Sequence, residues 1–161
     1  MTPDQANVIE DLWDHAYAVE GKIEDLVKRF KQASSVLAEH DEGYWKEGAK
    51  VLKVMADSAK NALKATKKMK EVSKGVQKKA SKTAIEDVVK DLKKADKLID
   101  GFDTAASAFI VWHRKASKEI KLEMGHTDIH IMAILKYVPM YLKYRAVLNK
   151  ELQGVYRLAR G

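Results

Sequence analysis

Apolar side chains recur along the first forty residues as Ile9, Leu12, Ala16, Val19, Ile23, Leu26, Phe30, Ala33 and Leu37, in alternating steps of three and four. A stripe of that period occupies one side of an α-helix and needs a partner helix along its whole length. Thr2-Pro3-Asp4-Gln5 supplies the start. Thr2 can accept from a first-turn amide, Pro3 suits the first helical position, and Gln5 can reach back to close a capping box. After His40-Asp41-Glu42-Gly43, with Asp41 as the expected cap, a second stripe runs through Trp45, Gly48, Leu52, Met55, Ala59, Ala62, Thr66, Met69, Ser73 and Val76. Its small residues let helix backbones approach closely.

A polar connection around 78–82 precedes the third stripe, with Ser81 or Thr83 as the expected cap: Ile85, Val88, Leu92, Ala95, Ile99, Phe102, Ala106, Phe109, His113, Ala116 and Ile120. The register continues through Asp100-Gly101, so one continuous helix is expected there. Gly125 reads as a stop and Thr127 as the next cap. The fourth stripe is Ile131, Ile134, Val138, Tyr141, Arg145, Leu148, Leu152 and Val155, with Pro139 expected to bend it. The helices are expected at about 3–39, 43–78, 83–124 and 128–159, and no strand alternation appears. The pattern predicts an all-α chain: an elongated antiparallel up-down-up-down four-helix bundle with heptad packing like that of a coiled coil, forming one domain over residues 1–161.

Charge changes this picture on one face. The net charge is +7, and the segment 64–83 carries eight lysines and one acid, Glu71. With Trp45 at position a, Lys46, Lys53, Lys60, Lys67 and Lys74 fall at b, and Lys50, Lys64 and Lys78 at f. Those positions point outward, where lysines keep a helix solvated. A second use is anion binding by Lys67, Lys74, Lys78, Lys79 and Lys82, which implies weak, non-specific contact with nucleic acid. No arginine lies between Arg29 and Arg114, and no aromatic residue lies between Trp45 and Phe102. The side chains that read phosphate bidentately, or stack on bases, are therefore missing from the basic segment. Residues 1–21 contain five acids and neither Lys nor Arg. The predicted topology sets them at the same end as the lysine-rich turn, where they offset part of its field.

At the opposite end, His40, His126 and His130 accompany Glu39, Asp41, Glu42, Glu123 and Asp128. Glu123 and His126 have the spacing of a carboxylate–histidine pair, but a di-metal bundle needs two such pairs in mid-bundle. Capped polar turns are the expectation, with no metal and no cofactor. On the stripes themselves, His113 and Arg145 (placed near Ala106) are read as single polar groups that fix register, rather than as an active site.

The chain has no cysteine, no glycine-rich phosphate loop and no serine nucleophile elbow, so enzymatic activity and a small-molecule substrate are not expected. The fourth helix carries more apolar and aromatic residues than one stripe requires. Tyr137, Met140, Tyr141, Tyr144 and Tyr156 are the candidate partner-binding residues of a protein–protein interaction or structural module that binds a partner or itself. The alternative is a bundle that lays basic amphipathic helices on anionic lipid, with 105–112 and 129–138 as the apolar inserts. No signal-like segment opens the sequence and no run of about eighteen apolar residues occurs, so a cytoplasmic location is expected.

Overall fold

The computed structural model describes residues 1–40, 43–119 and 129–160. Among them the chain forms four helices and no strand: α1 (Pro3–Ala38), α2 (Gly43–Lys79), α3 (Ile85–Glu119) and α4 (Ile129–Ala159). The start of α1 follows its sequence. The Gln5 amide donates to Thr2 Oγ1 at 3.2 Å while Gln5 Oε1 accepts from the Thr2 amide at 2.9 Å, so the capping box is complete. At α3 the expectation needs correction. The helix begins after Ala84, whose carbonyl accepts from the Asp87 amide, so neither Ser81 nor Thr83 adjoins it. Instead, the Thr83 carbonyl accepts from the Met1 ammonium at 3.3 Å, which ties the chain's start to the α2–α3 turn. α3 runs through Asp100-Gly101 unbroken, and α4 includes the exposed Pro139. Asp41, Gly125 and Thr127, the other expected turn and cap residues, lie outside the described residues.

α1 and α3 each pack on both α2 and α4, and the α3–α4 seam is the least densely contacted of the four. The residues of the first, second and fourth stripes are buried at each named position, joined by Ala6, Glu20, Ala65 and Tyr156. Each large apolar side chain so buried contributes about 1.5–3 kcal/mol. Glu20 is tolerated inside because Lys70 Nζ donates to its Oε1 at 2.7 Å, while the Thr66 hydroxyl, 3.2 Å from Oε2, shares its one proton between that oxygen and the Leu63 carbonyl at 2.9 Å. A buried carboxylate without such partners would carry a large desolvation cost.

One position of the third stripe is displaced. Trp112, not His113, is the buried residue, and His113 is half-buried beside Ser117. The cause is Gly48. Where any other residue carries a Cβ, the indole of Trp112 lies against the α2 backbone, and its Nε1 donates to the Tyr44 carbonyl at 2.8 Å. A Cβ on Gly48 would stand 2.2 Å from Trp112 Cζ2. The pocket that glycine opens draws the larger ring inward and rotates His113 toward the helix margin.

Two glycines in helix interiors should therefore respond oppositely to alanine. At the exposed Gly101 nothing lies within 4 Å of an added Cβ. Gly101→Ala should gain up to about 1 kcal/mol from helix propensity. At Gly48 the same gain is outweighed by an overpacking cost of about 1–3 kcal/mol. Urea unfolding should show Gly48→Ala destabilised and its tryptophan emission altered. Equal stabilisation of both variants would contradict the Trp112–Gly48 contact.

Candidate functional site

The α3–α4 seam holds a buried cluster of charged and polar side chains. Arg145 projects from α4 into the interior with only 2% of its surface exposed. Three aspartates of α3, spaced i, i+4 and i+7, meet it. Nη2 donates to Asp96 and to Asp100 Oδ1 (2.8 Å), and Nε donates to Asp103 Oδ2 at 2.9 Å. Two tyrosines of α4 finish the cluster: the Tyr141 hydroxyl donates to Asp103 Oδ1, and the Tyr156 hydroxyl to Asp96 Oδ2 at 3.1 Å. Arg145 Nη1 is buried without a hydrogen-bond partner. Charge-assisted bonds to a guanidinium are roughly twice as strong as neutral ones and fix direction as well as distance. The cluster thus adds directional bonds to a seam whose backbones lie farther apart than those of the other three and across which the Phe102 and Tyr141 rings also meet.

Its electrostatics follow from one cation facing three acids. Burial draws the Arg145 guanidinium downward, but the hydrogen bond to Asp96 and the charge of Asp103 outweigh it, so its pKa rises and the cation persists. Burial, reinforced by Asp103, also raises Tyr141, and burial with Asp96 raises Tyr156; both phenols stay protonated donors. Asp103 is raised above its usual 3.8 because its desolvation exceeds the help from Tyr141 and Arg145. Asp100 is different, with 61% of its side chain exposed, and it closes the cluster at the solvent edge. The arrangement holds charge and direction.

Beside the cluster, toward the end of α4, a groove of about 550 Å³ opens between α3 and α4. Val89, the Tyr156 ring and Ala159 form its apolar side, and Lys90, Lys93, Lys94, Lys97 and Arg160 ring it, with Glu86 the sole acid in its lining. Lys93 Nζ stands 5.3 Å from the Tyr156 ring centroid, in cation–π range.

The candidate partner-binding residues divide. Tyr141 and Tyr156 are buried and belong to the aspartate cluster, which removes them from the outer surface of α4. Tyr137 is half-buried under α1: the Arg29 guanidinium lies 4.4 Å from its ring, and Nη2 donates to its hydroxyl at 3.3 Å. Met140 and Tyr144 remain exposed, with Lys22 Nζ 5.1 Å from the Tyr144 ring. Sequence inspection placed Arg145 near Ala106, but its partners are Asp96, Asp100 and Asp103, one to three turns earlier. The recoverable signal was that acidic i, i+4, i+7 ladder on α3 facing Tyr141 and Arg145 at i, i+4 on α4.

Lys67, Lys74, Lys78, Lys79 and Lys82 are all exposed; Lys67, Lys74 and Lys78 share one face of α2, and Lys79 lies to its side. Lys74 lines a depression with Glu10, Asp11, Trp13 and Asp14, whereas Lys79 lines one with Glu71 and Asp91. Of the histidine end, His126, Glu123 and Asp128 lie outside the described residues. His40 stacks on Trp45 with ring centroids 3.9 Å apart. The apolar stretches 105–112 and 129–138 bury Ala105, Ala106, Phe109, Trp112, Ile131, Ile134 and Val138 in the core. Among the described residues no helix is long and apolar enough to cross a membrane. No protein-family model matches the sequence, and comparison with curated proteins and with solved structures finds no match.

The raised Asp103 carboxyl has a definite signature. A folded-state pKa above the unfolded value means that the native chain binds the proton more tightly, so this group's contribution to stability falls as pH rises from 3.8 through the raised value. Asp103→Asn removes that titration. The stability difference between wild type and variant, followed by urea unfolding across the acid range, should decline with rising pH. A difference that increases with pH would mean that Arg145 and Tyr141 dominate the desolvation.

Proposed function

We propose that this chain is a non-enzymatic docking module: an elongated antiparallel up-down-up-down bundle with heptad packing that binds a protein partner, or itself, through the outer face of α4 or through an end of the bundle. The antiparallel order is supported by contacts that pair early residues of one helix with late residues of the next. Gln77 Nε2 donates to Asn7 Oδ1, Thr66 and Lys70 reach Glu20, Arg29 meets Tyr137, Trp112 reaches Tyr44, and Tyr156 reaches Asp96. Heptad packing is supported by buried residues three and four apart along each helix.

The observation that carries the docking reading is the outer face of α4. Ile129, Met132, Met140, Tyr144, Val147 and Leu158 are all exposed, Ile129 to 79%. At 100° per residue they fall within roughly 120° of arc, opposite the buried stripe. Scattered exposed apolar residues are ordinary, but six gathered on one side of a helix, interspersed with the exposed Lys136, Lys143 and Lys150, form a mixed apolar and basic face that suits a protein partner. Methionine and tyrosine suit such a surface, being enriched at interfaces. The lysines of α2 keep their solvating role in this reading, and nucleic acid contact stays weak and non-specific.

Affinity capture from the native lysate tests the assignment. Met140→Glu with Tyr144→Glu should leave the thermal midpoint nearly unchanged, because both residues are exposed, and should abolish recovery of the partner. Lys67→Gln, Lys74→Gln, Lys78→Gln and Lys79→Gln together should leave recovery intact and alter stability by no more than about ±0.5 kcal/mol per site. The reverse pattern, with recovery lost on the lysine changes and kept on the α4 changes, would transfer the docking surface to the basic face.

A further inference from the structure

The lysine-ringed groove between α3 and α4 has a counterpart on the same molecule. On α1, Trp13 and Tyr17 stack face to face with ring centroids 5.2 Å apart and planes within 6° of parallel. Tyr17 is 57% exposed, so the stack stands out as an apolar ridge. Glu10 and Asp14 flank it at i, i+4 spacing to Trp13 and Tyr17, and Asp11 lies alongside; all three acids are exposed. The groove presents the inverse: an apolar floor of Val89, Tyr156 and Ala159 inside a rim of cations. Its volume of about 550 Å³ lies within the range of about 300–1,000 Å³ usual for clefts that enclose a ligand-sized group.

We infer that the occupant of this groove is a second copy of the chain, whose Trp13–Tyr17 ridge seats against Val89 and Tyr156 while Glu10, Asp11 and Asp14 meet Lys90, Lys94 and Lys97. The inference rests on the docking-module reading but uses the end of the bundle rather than the outer face of α4. Charge complementarity selects the occupant. Residues 1–21 carry no Lys or Arg, so the ridge offers the groove three exposed acids around an exposed aromatic body. The ridge cannot reach the groove of its own molecule. Lys70 Nζ lies 5.5 Å from the Tyr17 ring and Lys74 lines the ridge's flank, which places it on the α1–α2 side, away from the α3–α4 groove. Ridge and groove on opposite sides make the contact head-to-tail. An interface of that kind extends into rings or open chains rather than closing as a two-fold dimer. Exposed ion pairs around an apolar contact also make the association strongly salt-dependent.

Sedimentation velocity of the full chain tests this. At low ionic strength the mean mass should grow with protein concentration past the dimer, and it should fall back toward the monomer near 1 M salt, where the screening length is about 3 Å. Two variants separate the surfaces. Lys90→Glu with Lys97→Glu closes the groove to acids and leaves the ridge; Asp14→Asn with Tyr17→Ser blunts the ridge and leaves the groove. All four residues are exposed, so circular dichroism should report unchanged helix. Each variant alone should be monomeric, and an equimolar mixture should form one-to-one dimers and nothing larger, since the pair retains a single matching ridge and groove. A monomeric wild type at low salt overturns the inference, as does association that survives in either variant or a mixture that stays monomeric. A monomer that instead sediments with phosphatidylserine–phosphatidylcholine vesicles overturns it in favour of lipid. In each of those cases capture through Met140 and Tyr144 can still succeed, so the docking-module reading fails or stands separately.

Discussion

Taking the guanidinium of Arg145 out of water is the constraint on which the α3–α4 half of the molecule depends. A buried cation costs several kcal/mol unless its hydrogen bonds are met. Here three aspartates on successive turns of α3 meet it, and they are in turn oriented by two phenols of α4. The seam can therefore hold with its backbones farther apart than those of the others. Sliding one helix along the other by a turn would take Arg145 off at least one of its three aspartates and part Tyr141 and Tyr156 from theirs, so the cluster favours one alignment of the pair. The wider spacing of this seam is also where the groove beside Tyr156 opens.

The other half of the molecule solves the same problem with size. The inner side of α2 is built from Gly48, Ala59, Ala62, Ala65, Thr66 and Ser73, which bring its neighbours' backbones near. Trp112 uses the space above Gly48, and Glu20 enters the α1–α2 seam only because Thr66 and Lys70 stand ready to donate. Outward, charge is sorted along the chain in part: acids alone on the first turns of α1, an excess of lysines on α2, and lysines mixed with acids on the first half of α3. Such sorting contributes little to folding, since exposed pairs are worth about 0–1 kcal/mol. It does determine which surfaces attract one another.

Period was the legible part of this sequence. Steps of three and four identified the buried residues of α1, α2 and α4, because a helix exposes one face to its neighbours whatever those neighbours are. Lys46, Lys53 and Lys60 were placed outward by the same rule, and they are exposed. What period cannot carry is the identity of a residue's opposite number. Trp112 replaced His113 because a glycine on another helix, 64 positions away, made room for an indole. Tyr141, on the stripe, and Tyr156, off it, both read as candidate partner-binding aromatics, and their hydroxyls instead meet aspartates on α3. The aspartates lay at the stripe's margin, where a charge looks solvated until a facing helix brings a cation to it.

The most direct test of Arg145 as the clamp between α3 and α4 is a double-mutant cycle with Arg145→Met and Asp103→Leu, measured by urea unfolding at neutral pH. Arg145→Met strips the shared cation from three aspartates and should cost about 3–5 kcal/mol, whereas Asp103→Leu leaves the guanidinium with Asp96 and Asp100 and should cost less. Because the Asp103 bond is already lost once Arg145 is replaced, the double variant should be more stable than the sum of the single losses implies, with a coupling within about 0.5–3 kcal/mol. Losses that add to within about 0.5 kcal/mol would mean that the two groups act independently, and would contradict the clamp.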